Sequence, residues 1–201
     1  SFNGTLGEAI DGQFAGGTAT LGEVPLLVGD ATGDLTYANG VLRLADTAFT
    51  LSDRAPEPRF NPLRSDDAQL VLADGHLTGD FLLRHPGSNA QVVQVDLAHE
   101  LSSGVGQANL AVTGLTFRDG FQPADLTVLL FGPVSNVRGT VTGTGQVSWS
   151  GAGVTSSTGS FTTDGLDLAA AFGPVRGARG TIEFSDLIGL TTAPNQRIRV
   201  A

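Results

Sequence analysis

Cysteine, methionine and lysine are absent from this chain, and tryptophan and tyrosine occur once each. Without cysteine there are no disulfides and no thiolate metal sites, which leaves an oxidising or a reducing compartment equally open. Without lysine there is no Schiff-base chemistry on a side-chain amine and no phosphate-binding P-loop lysine. The eleven arginines face twenty acidic residues, a net charge of −9 that opposes binding to nucleic-acid phosphates or to a bare anionic membrane. No window approaches the roughly 18 apolar residues of a spanning helix. No signal peptide is visible. The chain opens on Ser1, and the missing initiator methionine leads us to expect a piece of a longer protein.

Catalytic patterns are equally scarce. His76, His85 and His99 stand in no metal-binding spacing, so no metal is expected. His99 and Glu100 are strand neighbours pointing to opposite faces, which disfavours shared acid/base work alongside Asp96. The serine-rich run 153–163 lacks a nucleophile elbow. The glycine-rich run 139–146 lacks the strand-then-helix setting of a nucleotide loop, and no calcium β-roll repeat occurs. We expect no enzyme and no cofactor.

What the chain does have is alternation. VLRLA (41–45), AQLVL (68–72), QVVQVDLA (91–98), NLAVT (109–113), DLTVLL (125–130) and GLDLAAAF (165–172) place apolar residues at every second position, the strand period. Between them lie Asn39-Gly40, Asp74-Gly75, Asp119-Gly120 and Asp164-Gly165, dipeptides suited to hairpin turns. The spacing leaves no room for crossover helices, so the fold class predicted is all-β, a single segment over 1–201 built as an elongated, curved antiparallel sheet of about 14 strands, roughly 65 Å long. One short helical turn is expected near 185–191, with Ser185 as its cap. DLAHELSSG (96–104) reads as strand. The proline-rich stretch 53–67, with seven charged residues, reads as a loop or edge excursion and a solvated connector.

FGPVSNVRGT (131–140) and FGPVRGARGT (172–181) agree at seven of ten positions across an offset of 41 residues. Each is read as a fold corner: a strand ends at Phe, Gly-Pro breaks the ladder, and Arg-Gly-Thr begins the next strand with a glycine where backbones approach closely.

The candidate functional residues form an apolar stripe: Leu126, Val128 and Leu130 on one face, then Leu166, Leu168, Ala170 and Phe172, with Val147 and Trp149, Phe161, and Ile182 and Phe184 continuing it. Periodicity alone fits two arrangements, a sandwich core closed by a second sheet or a groove whose walls stay apart.

The order of three pieces over about residues 98–201 resembles the YdbH-like family of the AsmA-like group: Gly-x-Gly-x-x-x-Trp at 143–149, Leu-Asp-Leu-Ala-Ala at 166–170, and Phe-Ser-Asp-Leu-Ile-Gly-Leu-Thr-Thr-Ala-Pro at 184–194. The first half carries only the strand-and-turn texture of the group. The resemblance implies a folded-over, taco-shaped sheet whose apolar groove holds phospholipid. It further implies a periplasmic segment of an inner-membrane-anchored protein that conducts lipid toward the outer membrane. Partners implied are phospholipid, the rest of the full-length protein, and membrane-embedded or outer-membrane proteins. An edge-to-edge homodimer of the piece is also open, since cut sheet edges invite pairing. The alternatives are a structural or adhesive β-solenoid with a filled core, and a glycan-binding sandwich, which one Trp and one Tyr disfavour.

Overall fold

Asn39-Gly40 and Asp74-Gly75 each hold two successive positive φ angles, 51° and 79° and then 51° and 81°, so each closes a two-residue hairpin. Such turns recur through the computed structural model, which describes residues 1–6, 9–21, 24–128 and 134–201. The strands are β1 (Phe2–Leu6), β2 (Ile10–Leu21), β3 (Leu26–Ala38), β4 (Val41–Asp53), β5 (Leu63–Ala73), β6 (His76–Arg84), β7 (Gln91–Glu100), β8 (Val105–Phe117), β9 (Val134–Ser150), β10 (Gly153–Ala170), β11 (Gly173–Asp186) and β12 (Thr191–Thr192). They pair in chain order as one antiparallel sheet of twelve strands, curved and unclosed. Eleven spacings of about 4.8 Å give a length of about 53 Å across the strands, shorter than expected. Two differences from expectation explain this: fewer strands, and longer ones, with β9 and β10 running 17 and 18 residues.

Almost every pairing contains a register shift. In β4, Leu42 and Leu44 share a side with Leu72 and Leu70 of β5; after the bulge at Asp46 (φ 45°), Phe49 and Leu51 resume on that side opposite Ser65 and Leu63. Asp30 in β3 (φ 53°), Gly16 in β2 (φ 73°), Asn136 in β9 (φ 52°) and Gly177 in β11 (φ 56°) take the same left-handed conformation within their strands. A bulge inserts one residue, reverses the alternation and bends the strand, so apolar side chains return to one face while the sheet curls. Asp164-Gly165, expected as a hairpin turn, is such a shift inside β10, between Thr163 and Leu166.

Two further expectations are corrected. DLTV (125–128), the described part of DLTVLL, is not a strand: Pro123–Leu126 forms α1, a single helical turn with proline in its first turn, and the Asp125 carboxylate accepts the Gln122 N–H at 2.7 Å. Residues 185–191 hold no helical turn. β11 runs through Ser185 to Asp186, and 187–190 form a β-turn closed by Leu190 N–H donating to Leu187 C=O at 3.3 Å. Leu190 at φ 51° ends any helical course there, and the Asp186 carboxylate, not Ser185, accepts the turn's Gly189 N–H.

The 53–67 stretch is a loop only over 54–62, since Asp53 ends β4 and β5 begins at Leu63. It is docked instead of being a free connector. Arg59 grips the Asp53 carboxylate through Nε at 2.6 Å and Nη2 at 3.0 Å. Asn61 donates to the Asp125 carbonyl at 2.9 Å and its N–H to that of Leu126 at 2.8 Å, while Thr127 Oγ1 bonds the Arg59 carbonyl. The Gln122 side chain bonds both backbone groups of Val137, accepting at 2.7 Å and donating at 2.9 Å, which fastens α1 to β9. Leu126 thereby packs against both core clusters, Phe49/Leu63/Ala68/Leu83/Val95 and Phe117/Phe121/Val137. Among the described residues no helix is long and apolar enough to cross a membrane.

Candidate functional site

Cross-strand partners share a face, so the registers trace which side chains line it. One row runs Leu44, Leu70, Gly79, Leu97, Ala108, Val147 and Ser157 across seven strands. A parallel row runs Phe81, Val95, Leu110, Gly145, Gly159 and Phe184. On the other face the corresponding row reads Asp80, Asp96, Asn109, Gln146 and Thr158. Its side chains bond one another, Gln94 to Asp80 and Gln146 to Asn109 each at 2.9 Å. One surface of a single-layer sheet is therefore apolar across at least eight strands, and the other is polar.

Large side chains on strands two apart meet over a small residue on the strand between. Phe49 of β4 and Phe81 of β6 make an edge-to-face contact at 5.3 Å, although their strands are about 9.6 Å apart. Beneath them Ser65 and Ala68 of β5 have no exposure. Trp149 of β9 and His99 of β7 stack at 6.0 Å over Gly106 of β8. A Cβ at Gly106 would lie 2.4 Å from Trp149 Cζ2. Leu187, from the turn after β11, reaches over Gly145 and Gly159, where added Cβ atoms would come within 2.7 and 3.3 Å of its Cδ2. Side chains converge on the inside of a curve, so the apolar face is the inner one.

That face is sealed only in part, with Phe49, Val95 and Trp149 on it buried. Leu70, Leu97, Ala108, Leu110, Val147, Phe161, Ile182 and Phe184 are all half-buried, neither packed away nor free. Full burial gathers under α1 and the 54–62 loop, where Phe121 is 1% and Val137 2% exposed.

Of the expected stripe, Val147, Trp149, Phe161, Ile182 and Phe184 lie on this face by register, Phe161 and Phe184 in an edge-to-face pair at 5.8 Å. Leu166 and Leu168 pack against the Phe117/Phe121/Val137 cluster. Ala170 pairs with Val134 of that same assembly. Three members stand elsewhere. Leu126 is on α1, Val128 just after it is 53% exposed, and Phe172 caps the β10–β11 turn at 86% exposure. Leu130 lies outside the described residues. Residues in the first half that the stripe omitted, Leu44, Leu70, Phe81 and Leu97, lie on the same face. Their alternation was visible, but the bulges at Asp46 and at 66–67 break the count from one strand to the next.

The second copy of the repeated decapeptide does not break the ladder: Gly173 and Pro174 pair with Ala170 and Ala169, the start of a strand being where proline is tolerated. In the first copy Phe131, Gly132 and Pro133 lie outside the described residues. The glycine of Arg-Gly-Thr behaves alike in both. Gly139 (φ 136°) has the Gly165 carbonyl 2.5 Å from its missing Cβ, and Gly180 (φ 146°) has Ile198 Cδ1 at 3.0 Å.

The shifted carboxylates reinforce the architecture. Burial works to raise the Asp53 carboxyl, but the Arg59 guanidinium and the Ala55 and Arg59 N–H groups outweigh it and hold it below the usual carboxylate range. The Ser157 hydroxyl and the Gly189 N–H depress Asp186. Hydrogen bonds from Ser102 depress Glu100, with His76 adding to them at 2.7 Å. Asp96 is pushed up by its hydrogen bond with Asp80 directly opposite, on the polar face. No group of three His, Asp or Glu residues that could hold a metal occurs among the described residues.

No curated protein and no solved structure gives a match. The family model described as "YdbH-like: Intermembrane phospholipid transport protein YdbH" matches residues 4–201, extending through the half where the sequence carried only generic texture. With a curled sheet, one apolar face and a family match over essentially the whole length, this chain belongs to the YdbH-like family of intermembrane phospholipid transport proteins.

Proposed function

We propose that the inner face is a groove for phospholipid acyl chains, and that the chain is a non-catalytic segment of a periplasmic bridge between inner and outer membranes. The observation that carries this reading is the unbroken apolar register from Leu44 to Val147 on one side of a single-layer sheet with polar rows behind it. Exposing a methylene costs about 0.8 kcal/mol, so a sixteen-carbon tail in water costs on the order of 12 kcal/mol. A continuous apolar strip removes most of that cost at every position, and shallow aliphatic contacts avoid trapping the lipid at any one. The bulges supply the curl that turns a sheet into a trough.

The packed region under α1 supports a second reading, a structural or adhesive protein with a filled core. Native mass spectrometry after gentle purification separates the two. Co-purifying phospholipid supports the groove, and a protein that stays empty after incubation with lipid micelles supports the filled core.

A further inference from the structure

The apolar row Phe81, Val95, Leu110, Gly145, Gly159 and Phe184 has glycine at two adjacent strands, β9 and β10, where bare backbone leaves a hollow in an otherwise aliphatic and aromatic floor. That hollow is filled from outside the strands. Leu187, half-buried on the turn after β11, places its Cδ2 2.7 and 3.3 Å from where Cβ atoms would stand on Gly145 and Gly159. Leu110 Cδ1 borders the first of these positions at 3.5 Å and Phe161 Cε2 the second at 2.8 Å. A branched aliphatic group thus sits where the groove reading puts a stretch of acyl chain.

The parallel row is stopped at the same strand. It runs Leu97, Ala108, Val147 and then Ser157, 6% exposed, whose hydroxyl donates to the Asp186 carboxylate. Main-chain N–H groups of the turn complete this cluster: Leu187 donates to the Ser157 carbonyl at 3.0 Å, Ile188 to Ser157 Oγ at 3.3 Å and Gly189 to the Asp186 carboxylate at 3.0 Å. Hydrocarbon that displaced these groups would leave a carboxylate and N–H donors unpaired, which is strongly disfavoured. The Leu187 side chain, by contrast, has no polar atom. A tail covering Gly145 and Gly159 replaces its aliphatic contacts like for like, so the exchange costs little. The backbone of the turn is held, and its leucine is the part that can yield.

Resting on the groove reading, we propose that Leu187 is a gate across the groove: it occupies an acyl-chain subsite over Gly145 and Gly159 and swings aside when a tail takes its place. Lipid then reaches the floor as far as Leu110 without hindrance, and passage from Leu110 to Phe184 is the restricted step.

The test places a photo-crosslinking phenylalanine analogue at residue 110 or at residue 184, on the two sides of Leu187, in the protein incubated with detergent micelles containing phosphatidylethanolamine. Expected is lipid labelling from 184 about tenfold weaker than from 110, the weight of one extra aliphatic group in an apolar path. Leu187→Ala should bring the two yields together by raising that from 184 while leaving that from 110 unchanged. Leu187→Val, which shortens the side chain but keeps it branched, serves if the alanine variant disturbs folding, with an intermediate ratio expected. Yields from 184 that match in the unaltered protein and the variants overturn the proposal and leave the groove intact. Labelling lost from both positions in the variants alone marks Leu187 as a structural anchor and also overturns it. If neither position labels in the unaltered protein, the groove reading fails and takes this inference with it.

Discussion

Trp149 of β9 donates its indole N–H to His99 Nδ1 of β7 at 3.2 Å, and the two rings stack across Gly106 of the strand between them. The contact spans two strand spacings and is possible because the middle residue has no side chain. It ties β7, β8 and β9 into one arch at the end of the strands. Gly106→Val should destabilise the protein by about 1–3 kcal/mol through overpacking against the indole. Chemical denaturation followed by Trp149 fluorescence measures it. An unchanged midpoint would mean that the arch does not constrain the curve.

The paired Arg-Gly-Thr glycines make a second prediction. Gly139→Ala meets both a positive φ of 136° and the Gly165 carbonyl 2.5 Å away, whereas Gly114 has nothing within 4 Å of its Cβ space and no positive φ. We expect Gly139→Ala to lower stability by about 1–3 kcal/mol. Gly114→Ala should be neutral or slightly stabilising, by up to about 1 kcal/mol. Thermal unfolding of the two variants side by side checks the contrast.

Acid should loosen the loop that holds α1. The folded-state carboxyl of Asp53 lies below its ordinary value of 3.8, so the stability it lends is present above that value and is lost as pH falls through the depressed one. Asp186 shifts in the same direction. Limited proteolysis within 54–62 should therefore stay slow at neutral pH and quicken only below about pH 4. Asp53→Asn should be cleaved readily at neutral pH and lose most of this acid dependence.

Ala98 and Ala108 provide a matched pair for the faces. They sit on adjacent strands, Ala98 exposed on the polar side opposite Gln107, Ala108 half-buried on the apolar side opposite Leu97. Ala108→Glu should abolish most phospholipid co-purification, since a carboxylate among tails is strongly disfavoured. Ala98→Glu should leave it unchanged. Lipid phosphorus per protein is the readout.

Much of this was written in local patterns. Period-two runs and Asn-Gly or Asp-Gly pairs were enough for an antiparallel meander, and the order of motifs from Gly143 to Pro194 for the family. Bulges were not legible, because Asp164-Gly165 inside β10 uses the same dipeptide as the true hairpin at Asp74-Gly75; only the neighbouring register decides between them. DLTVLL misled for a different reason. Its alternation fits a strand, but Pro123 and the Asp125 carboxylate bonded back to Gln122 favour a helical turn, and Leu126 finds its burial between the two clusters. The proline-before-acid signal was present at 123–125 and was outweighed by the apolar period.

The most direct measurement is a photo-crosslinker placed in turn at residues 107 to 112 of β8 in the protein incubated with phospholipid micelles. Crosslinks to lipid from 108, 110 and 112, with none from 107, 109 and 111, are what a one-faced acyl groove produces. Uniform labelling of both sets, or none from either, would contradict it.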